Sequence, residues 1–122
     1  MPNGHFRSAT LFAAGLMGLA GIISAAAASH GTDPRLLGGA SAMCLAHAPA
    51  LIALHGAQNY VRTASLAALL MALGTGLFAG DLAARHFLGH GLFPMSAPIG
   101  GVLMMAGWLA VSAAAFLPKE PD

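Results

Sequence analysis

The chain has 122 residues, of which 57% are apolar and only 7% charged, with a formal net charge of +1. Soluble domains carry roughly 25% charged residues, so this composition points to a bilayer as the solvent and leaves no basic patch for a nucleic acid. The single cysteine, Cys44, excludes an internal disulfide and a cysteine-rich metal cluster; inside an apolar run it reads as a buried, inert thiol.

A hydrocarbon core about 30 Å thick is crossed by about 20 apolar residues of helix. Four segments free of Asp, Glu, Lys and Arg meet that length: 8–29, 36–54, 63–80 and 99–117. Backbone groups in lipid must be satisfied within the segment, so these are helices and not lone strands. With their end residues the predicted spans are 8–29, 34–54, 63–83 and 98–117, in one membrane domain covering 1–122.

The first span carries Gly15, Gly18 and Gly21 at every third position. An alternative reading makes it a cleaved secretory signal, with Arg7, an apolar run and the tract SAAAAS, although the run is long for that purpose. Gly31 is expected to end this helix in the left-handed conformation. His30 sits at its C-terminus, where positive charge is favoured. Asp33 followed by Pro34 reads as the next helix start, with the carboxylate at the cap and proline in the first turn.

The second span holds His47 near its midpoint, and ionisable groups at such depth are functional candidates. Pro49 cannot donate to the carbonyl of Leu45, which leaves an acceptor free in that turn. A neutral His47 could tether a neighbouring helix through one N–H, ligate haem or a metal, or relay a proton. His55 ends the span and reads as interfacial. In the connector HGAQNYVR, Tyr60 suits the headgroup zone and Arg62 can snorkel to it.

The third span carries Gly76 and Gly80 as a GxxxG pair, a spacing that lets helix backbones approach closely. It runs on into GDLAARHFLGHGLFP, residues 80–94. Asp81 and Arg85 are four apart and share a helix face, acid before base. His86 and His90 share another face, and a zinc site would need at least a third ligand. The fourth span begins near Pro98 and carries Gly100, Gly101 and Gly107. Trp108 falls near its middle, where the indole N–H wants an acceptor; a carbonyl of a neighbouring helix is expected. The tail PKEPD is polar and expected to fray.

Short connectors predict an all-α, up-down-up-down bundle of four transmembrane helices. Both termini then share a side with Arg7, Arg62 and Lys119, against Arg35 and Arg85 on the other. That bias favours cytoplasmic termini. The topology also sets His30, Asp33 and Arg35 at the same mouth as Asp81, Arg85, His86 and His90. This interfacial cluster is either a metal or proton site or a helix end emerging into headgroups with Asp81 paired to Arg85; the second reading is preferred. His47, His30 and Asp81 are the intramembrane polar candidates. No metal and no cofactor is assigned.

The motifs APIGGVLMMAGW at 97–108, FAGDL at 78–82, AAASHG at 26–31 and LAHA at 45–48 occur in this order. Together they resemble the YgdD/transmembrane protein 256 family, also called domain-of-unknown-function family 423. These are small four-span membrane proteins, in bacteria usually assigned to the inner membrane. His30, His47, Pro98, Gly100, Gly101, Gly107 and Trp108 match family positions. Ala27, Ala28, Met43, Ala46 and Asp81 depart from the family pattern. The resemblance implies the fold and a bacterial inner-membrane location, and implies no biochemical activity.

The sequence therefore favours a non-enzymatic accessory or packing subunit of a membrane assembly. Its partners would be the bilayer and either a second protein or further copies of the chain, met through small-residue helix faces. The alternatives are a small transporter or channel subunit coupled through Asp81 and His47, and a haem-, metal- or quinone-binding redox subunit built on histidines. Enzyme catalysis is not expected, because no span pairs two acids and no Ser-His-Asp set assembles.

Overall fold

The computed structural model describes residues 4–118. It contains four long helices: α1, Gly4–His30; α2, Arg35–Gly56; α3, Ala64–Leu88; and α4, Ser96–Ala113, which tightens into a 3-10 turn over Ala114–Phe116. Each is long and apolar enough to cross a membrane. The fold is all-α, a four-helix bundle. α1 starts earlier than predicted, and α3 runs past the predicted 83 to Leu88, because Asp81 and Arg85 satisfy each other on the helix and do not end it. Lys119, which tipped the predicted charge bias, and the rest of the tail beyond Pro118 lie outside the described residues.

Successive helices are antiparallel neighbours. α1 packs on α2, α2 on α3 and α3 on α4, while α1 touches α3 lightly and meets α4 nowhere among the described residues. The bundle is thus open along its α1–α4 side. An isolated bridge between Val61 and Pro118 brings the last described residue beside the α2–α3 connector. Phe6 and Ala9 of α1 lie beside Ala68 and Leu69 of α3, so both described ends share one side.

The core is made of small side chains. Ala14, Ala48, Ala64, Ala67 and Ala68 are nearly inaccessible, with Leu51 and Met71 filling the remaining space. Cys44 is free and buried among them. Large apolar residues point outward instead: Phe12, Leu19, Ile23, Val102, Met105 and Leu109 are exposed. Lipid tails are as apolar as leucine, so this inversion of the water-soluble pattern is what a bilayer permits.

Close backbone approach decides which glycines matter. A methyl group on Gly100 would lie 2.6 Å from the Gly74 carbonyl oxygen and 2.6 Å from the Phe78 nitrogen. One on Gly107 would meet Met71 at 2.6 Å, and one on Gly21 would meet Leu45 at 2.7 Å. Gly76, Gly101 and Gly15 meet nothing within 4 Å inside the chain. The α3 face that carries α4 is therefore Ala67, Met71, Gly74 and Phe78, and not the Gly76–Gly80 face.

Two local expectations are corrected. Gly31 is not left-handed; its N–H closes on the Ala28 carbonyl at 3.4 Å, and Gly89 ends α3 in that conformation, with φ 81° and its N–H on Arg85. Pro34 takes the cap position itself, and the Asp33 carboxylate accepts the Arg35 N–H at 3.0 Å. Met95, without a glycine's freedom, caps α4 with φ 70°. Pro98 falls in the first turn of α4, as its fixed φ suits.

Candidate functional site

Two polar constellations lie within the helices. The first joins α2 to α4. His47 is buried just past the middle of α2, and its Nδ1 lies 2.8 Å from the Met43 carbonyl one turn back. Its Nε2 lies 3.1 Å from the indole nitrogen of Trp108 on the parallel helix α4. A carbonyl can only accept and an indole N–H can only donate. These partners assign the neutral ring with hydrogen on Nδ1 and a bare Nε2. The two rings meet edge to face, with centroids 5.8 Å apart at 62°.

This geometry replaces two expectations. The acceptor for Trp108 is a side chain and not a helix carbonyl, and His47 reaches across by accepting, while its own N–H stays within α2. Both ring nitrogens are spent. A haem or metal ligand needs the Nε2 lone pair that Trp108 occupies, and a second proton on the ring would set N–H against N–H.

The second constellation closes the end of α3. Asp81 is fully buried. Its Oδ2 accepts the Arg85 Nε–H at 2.7 Å, and its Oδ1 accepts the backbone N–H of Leu92 at 3.0 Å. Burying a carboxylate is tolerated only where it is paired and hydrogen-bonded, and this one has a partner on each oxygen. Gly91 lets the loop approach this group, since a methyl group there would run into the Asp81 carboxylate. One side chain thus folds the α3–α4 connector back onto its own helix.

The remaining candidates are not gathered into a site. His30 is exposed at the end of α1. Asp33 pairs with Arg35 at 3.9 Å on the surface. His86 stacks edge-on against its neighbour Phe87, and exposed His90 bonds the Gly91 carbonyl through Nδ1. Among the described residues no three His, Cys, Asp or Glu side chains come together to hold a metal. His47, His30 and Asp81 likewise have separate surroundings, so the intramembrane trio is not one site.

Sequence reasoning missed the hydroxyls that bind helix to helix, among them Ser96 of α4, which donates to the Leu77 carbonyl of α3 at 3.5 Å. Ser41 of α2 donates to the Gly21 carbonyl of α1 at 2.7 Å, and Thr63 before α3 donates to the Ala110 carbonyl of α4 at 2.6 Å. Serine and threonine inside apolar spans are the signal for such bonds. It also missed Thr75, whose hydroxyl is fully buried in α3 and finds no partner among the described residues.

A family model described as a protein of unknown function (DUF423) matches residues 24–101. The chain belongs to the DUF423 family. The matched segment holds His47, Asp81, Arg85 and the loop to Gly101; Trp108, the partner of His47, lies beyond it. No curated protein and no solved structure matches the chain. This DUF423 member is a small multi-pass membrane protein.

Proposed function

We propose that this DUF423 protein is a non-enzymatic packing subunit, and that the seam between α1 and α3 receives a transmembrane helix of another subunit. One observation carries the reading. α1 and α3 run side by side with a groove between them, and Gly76 opens onto it with nothing within 4 Å of the place where its side chain would be. One cavity of about 330 Å³ is walled by Leu16, Met17 and Ala20 of α1 and by Thr75, Gly76 and Gly80 of α3. A second, of about 160 Å³, continues the seam between Thr10 and Ala13 of α1 and Ala68 and Ala72 of α3. From Phe6 to Ser24 of α1 this is about 27 Å of helix at 1.5 Å per residue, close to the hydrocarbon thickness.

Small walls admit a helix at close range, and close backbone packing is what joins helices in lipid. An acyl chain could fill the same volume but would make no such backbone contact. The occupied nitrogens of His47 and both occupied oxygens of Asp81 support a structural role over a proton relay or a haem site.

The reading places the protein in a bacterial inner membrane with both termini in the cytoplasm. Arg7 and Arg62 lie on the terminal side, and a reporter fused to the C-terminus tests the orientation. Native mass spectrometry after gentle extraction from its own membrane tests the packing role. A defined multiple of the chain, or a stable complex with one membrane protein, is expected; a strict monomer without a partner refutes it. Gly76→Leu puts a bulky side chain into the seam from a position where an added Cβ meets nothing within 4 Å. It should abolish association with helix content unchanged, and association that survives it removes the seam from the argument.

A further inference from the structure

The connector after α3 holds a cationic group that its partner leaves half used. A guanidinium carries five N–H donors in a fixed fork. Asp81 takes the Nε–H of Arg85, and its other oxygen is committed to the Leu92 N–H, so the usual two-pronged carboxylate pairing is not made. The Nη donors remain. Asp81 is fully buried while the Arg85 side chain is 48% exposed, so the clamp fixes the guanidinium at its inner edge and leaves the outer edge free. That edge lines a cleft of about 370 Å³ shared with His90, Gly91, Leu92, Phe93 and Pro94. Gly91 keeps the loop against it: a methyl group there would stand 3.0 Å from Arg85 Nη2.

The apolar walls of the cleft are exposed: Leu92 and Phe93 are 51% and 45% accessible, and Leu88 and Met95, which flank the segment in sequence, are 66% and 62% accessible. Such residues on a polar turn belong at the boundary between acyl chains and headgroups. A fixed guanidinium at that depth meets phosphate, which its fork matches.

We propose that the Arg85 cleft binds the phosphate of a phospholipid headgroup, held by the Nη groups that Asp81 leaves free, with the acyl chains against Leu92 and Phe93. Asp81 is a positioning residue here, not a ligand. Because Asp81 cancels the local charge, recognition rests on short hydrogen bonds and not on long-range attraction. Binding should therefore change little between low and high salt, unlike a polybasic lipid site.

Native mass spectrometry of the full chain, with added phosphatidylglycerol or diacylglycerol of the same acyl composition, tests this. One phospholipid retained per chain, and diacylglycerol retained at least fivefold less, is expected. Arg85→Gln should lower phospholipid retention at least fivefold. Arg85→Lys keeps a cation for Asp81 but loses the fork, and should lower retention severalfold with the circular dichroism melt unchanged. Equal retention of diacylglycerol, or full retention by a folded Arg85→Lys chain, overturns the proposal. Displacement of the lipid by millimolar inorganic phosphate, with phosphate itself then retained, assigns the cleft to a free anion and overturns the lipid assignment.

Discussion

Gly100 and Gly101 are neighbours in sequence and opposites in the structure, and replacing each with alanine separates packing from helix propensity. At Gly100 the new methyl carbon would sit 2.6 Å from two backbone atoms of α3, where ordinary contact begins at 3.4 Å. Neither atom belongs to a flexible side chain, so the two helices must move apart by most of an ångström or tilt. At Gly101 nothing lies within 4 Å. Both variants gain the same helix preference for alanine over glycine, about 1 kcal/mol in water, and that gain cancels in the comparison. What remains is overpacking, about 1–3 kcal/mol. Gly100→Ala should therefore be less stable than Gly101→Ala by about that amount. Reversible unfolding in mixed micelles of dodecylmaltoside and increasing dodecyl sulfate, followed by circular dichroism, measures it. Equal midpoints for the two variants would refute the close α3–α4 approach at Gly74.

Other perturbations address the polar contacts. His47→Leu and Trp108→Phe, taken singly and together in a double-mutant cycle, should show a coupling of about 0.6 kcal/mol and at most about 1.7, the range for hydrogen bonds between membrane helices; additive losses would deny the bond. Asp81→Ala removes the acceptors for Arg85 and for the Leu92 N–H, at about 1.5–3 kcal/mol for a charged hydrogen bond. Hydrogen exchange in segment 89–95 should quicken in that variant and less so in Asp81→Asn, which keeps an acceptor oxygen; unchanged exchange would mean the loop is held by something else. Thr75→Val removes a buried hydroxyl that has no partner among the described residues, so the isolated chain should gain up to about 1–3 kcal/mol, read from the same unfolding midpoints. A loss of stability in the isolated chain would show that the hydroxyl is bonded within it.

The four helices were legible because length without charge is a strong signal, and length is what a bilayer demands. Which glycines pack was not. The Gly76–Gly80 spacing looks like an interface, yet α4 sits on the face of Ala67, Met71, Gly74 and Phe78, and only the rotation of α3 chooses between them. His47 and Trp108 each stood out alone as polar groups at depth. Their pairing depends on the relative register of two parallel helices, across 61 positions of sequence, and no local pattern carries that. The Asp81–Arg85 pair was readable from its spacing of four. The second half of that device, the Leu92 N–H, is backbone and has no signature in residue type.

Hydrocarbon imposes an accounting that water does not, since a polar group left over there has no solvent to fall back on. Most of the polar groups placed within these helices are settled inside the chain. Ser41 reaches Gly21, Thr63 reaches Ala110, Trp108 reaches His47, and Asp81 reaches Arg85 and Leu92. Among the described residues Thr75 is one exception and His55 Nδ1, near the end of α2, another; Thr75 lies beside the groove where α1 and α3 fail to close. A threonine hydroxyl on a helix can turn inward to its own carbonyl four residues back, which would settle it at no cost in packing. Here it does not, and the same stretch of α3 offers Gly76, with open space where a side chain would be. Thr75 is fully covered by the chain itself, while Gly76, one residue on, is exposed. The open position at Gly76, among the small residues of α1 and α3, admits a neighbouring backbone at close range, which is why the seam, and not the bulky outer faces of α1 and α4, is where a partner is to be sought.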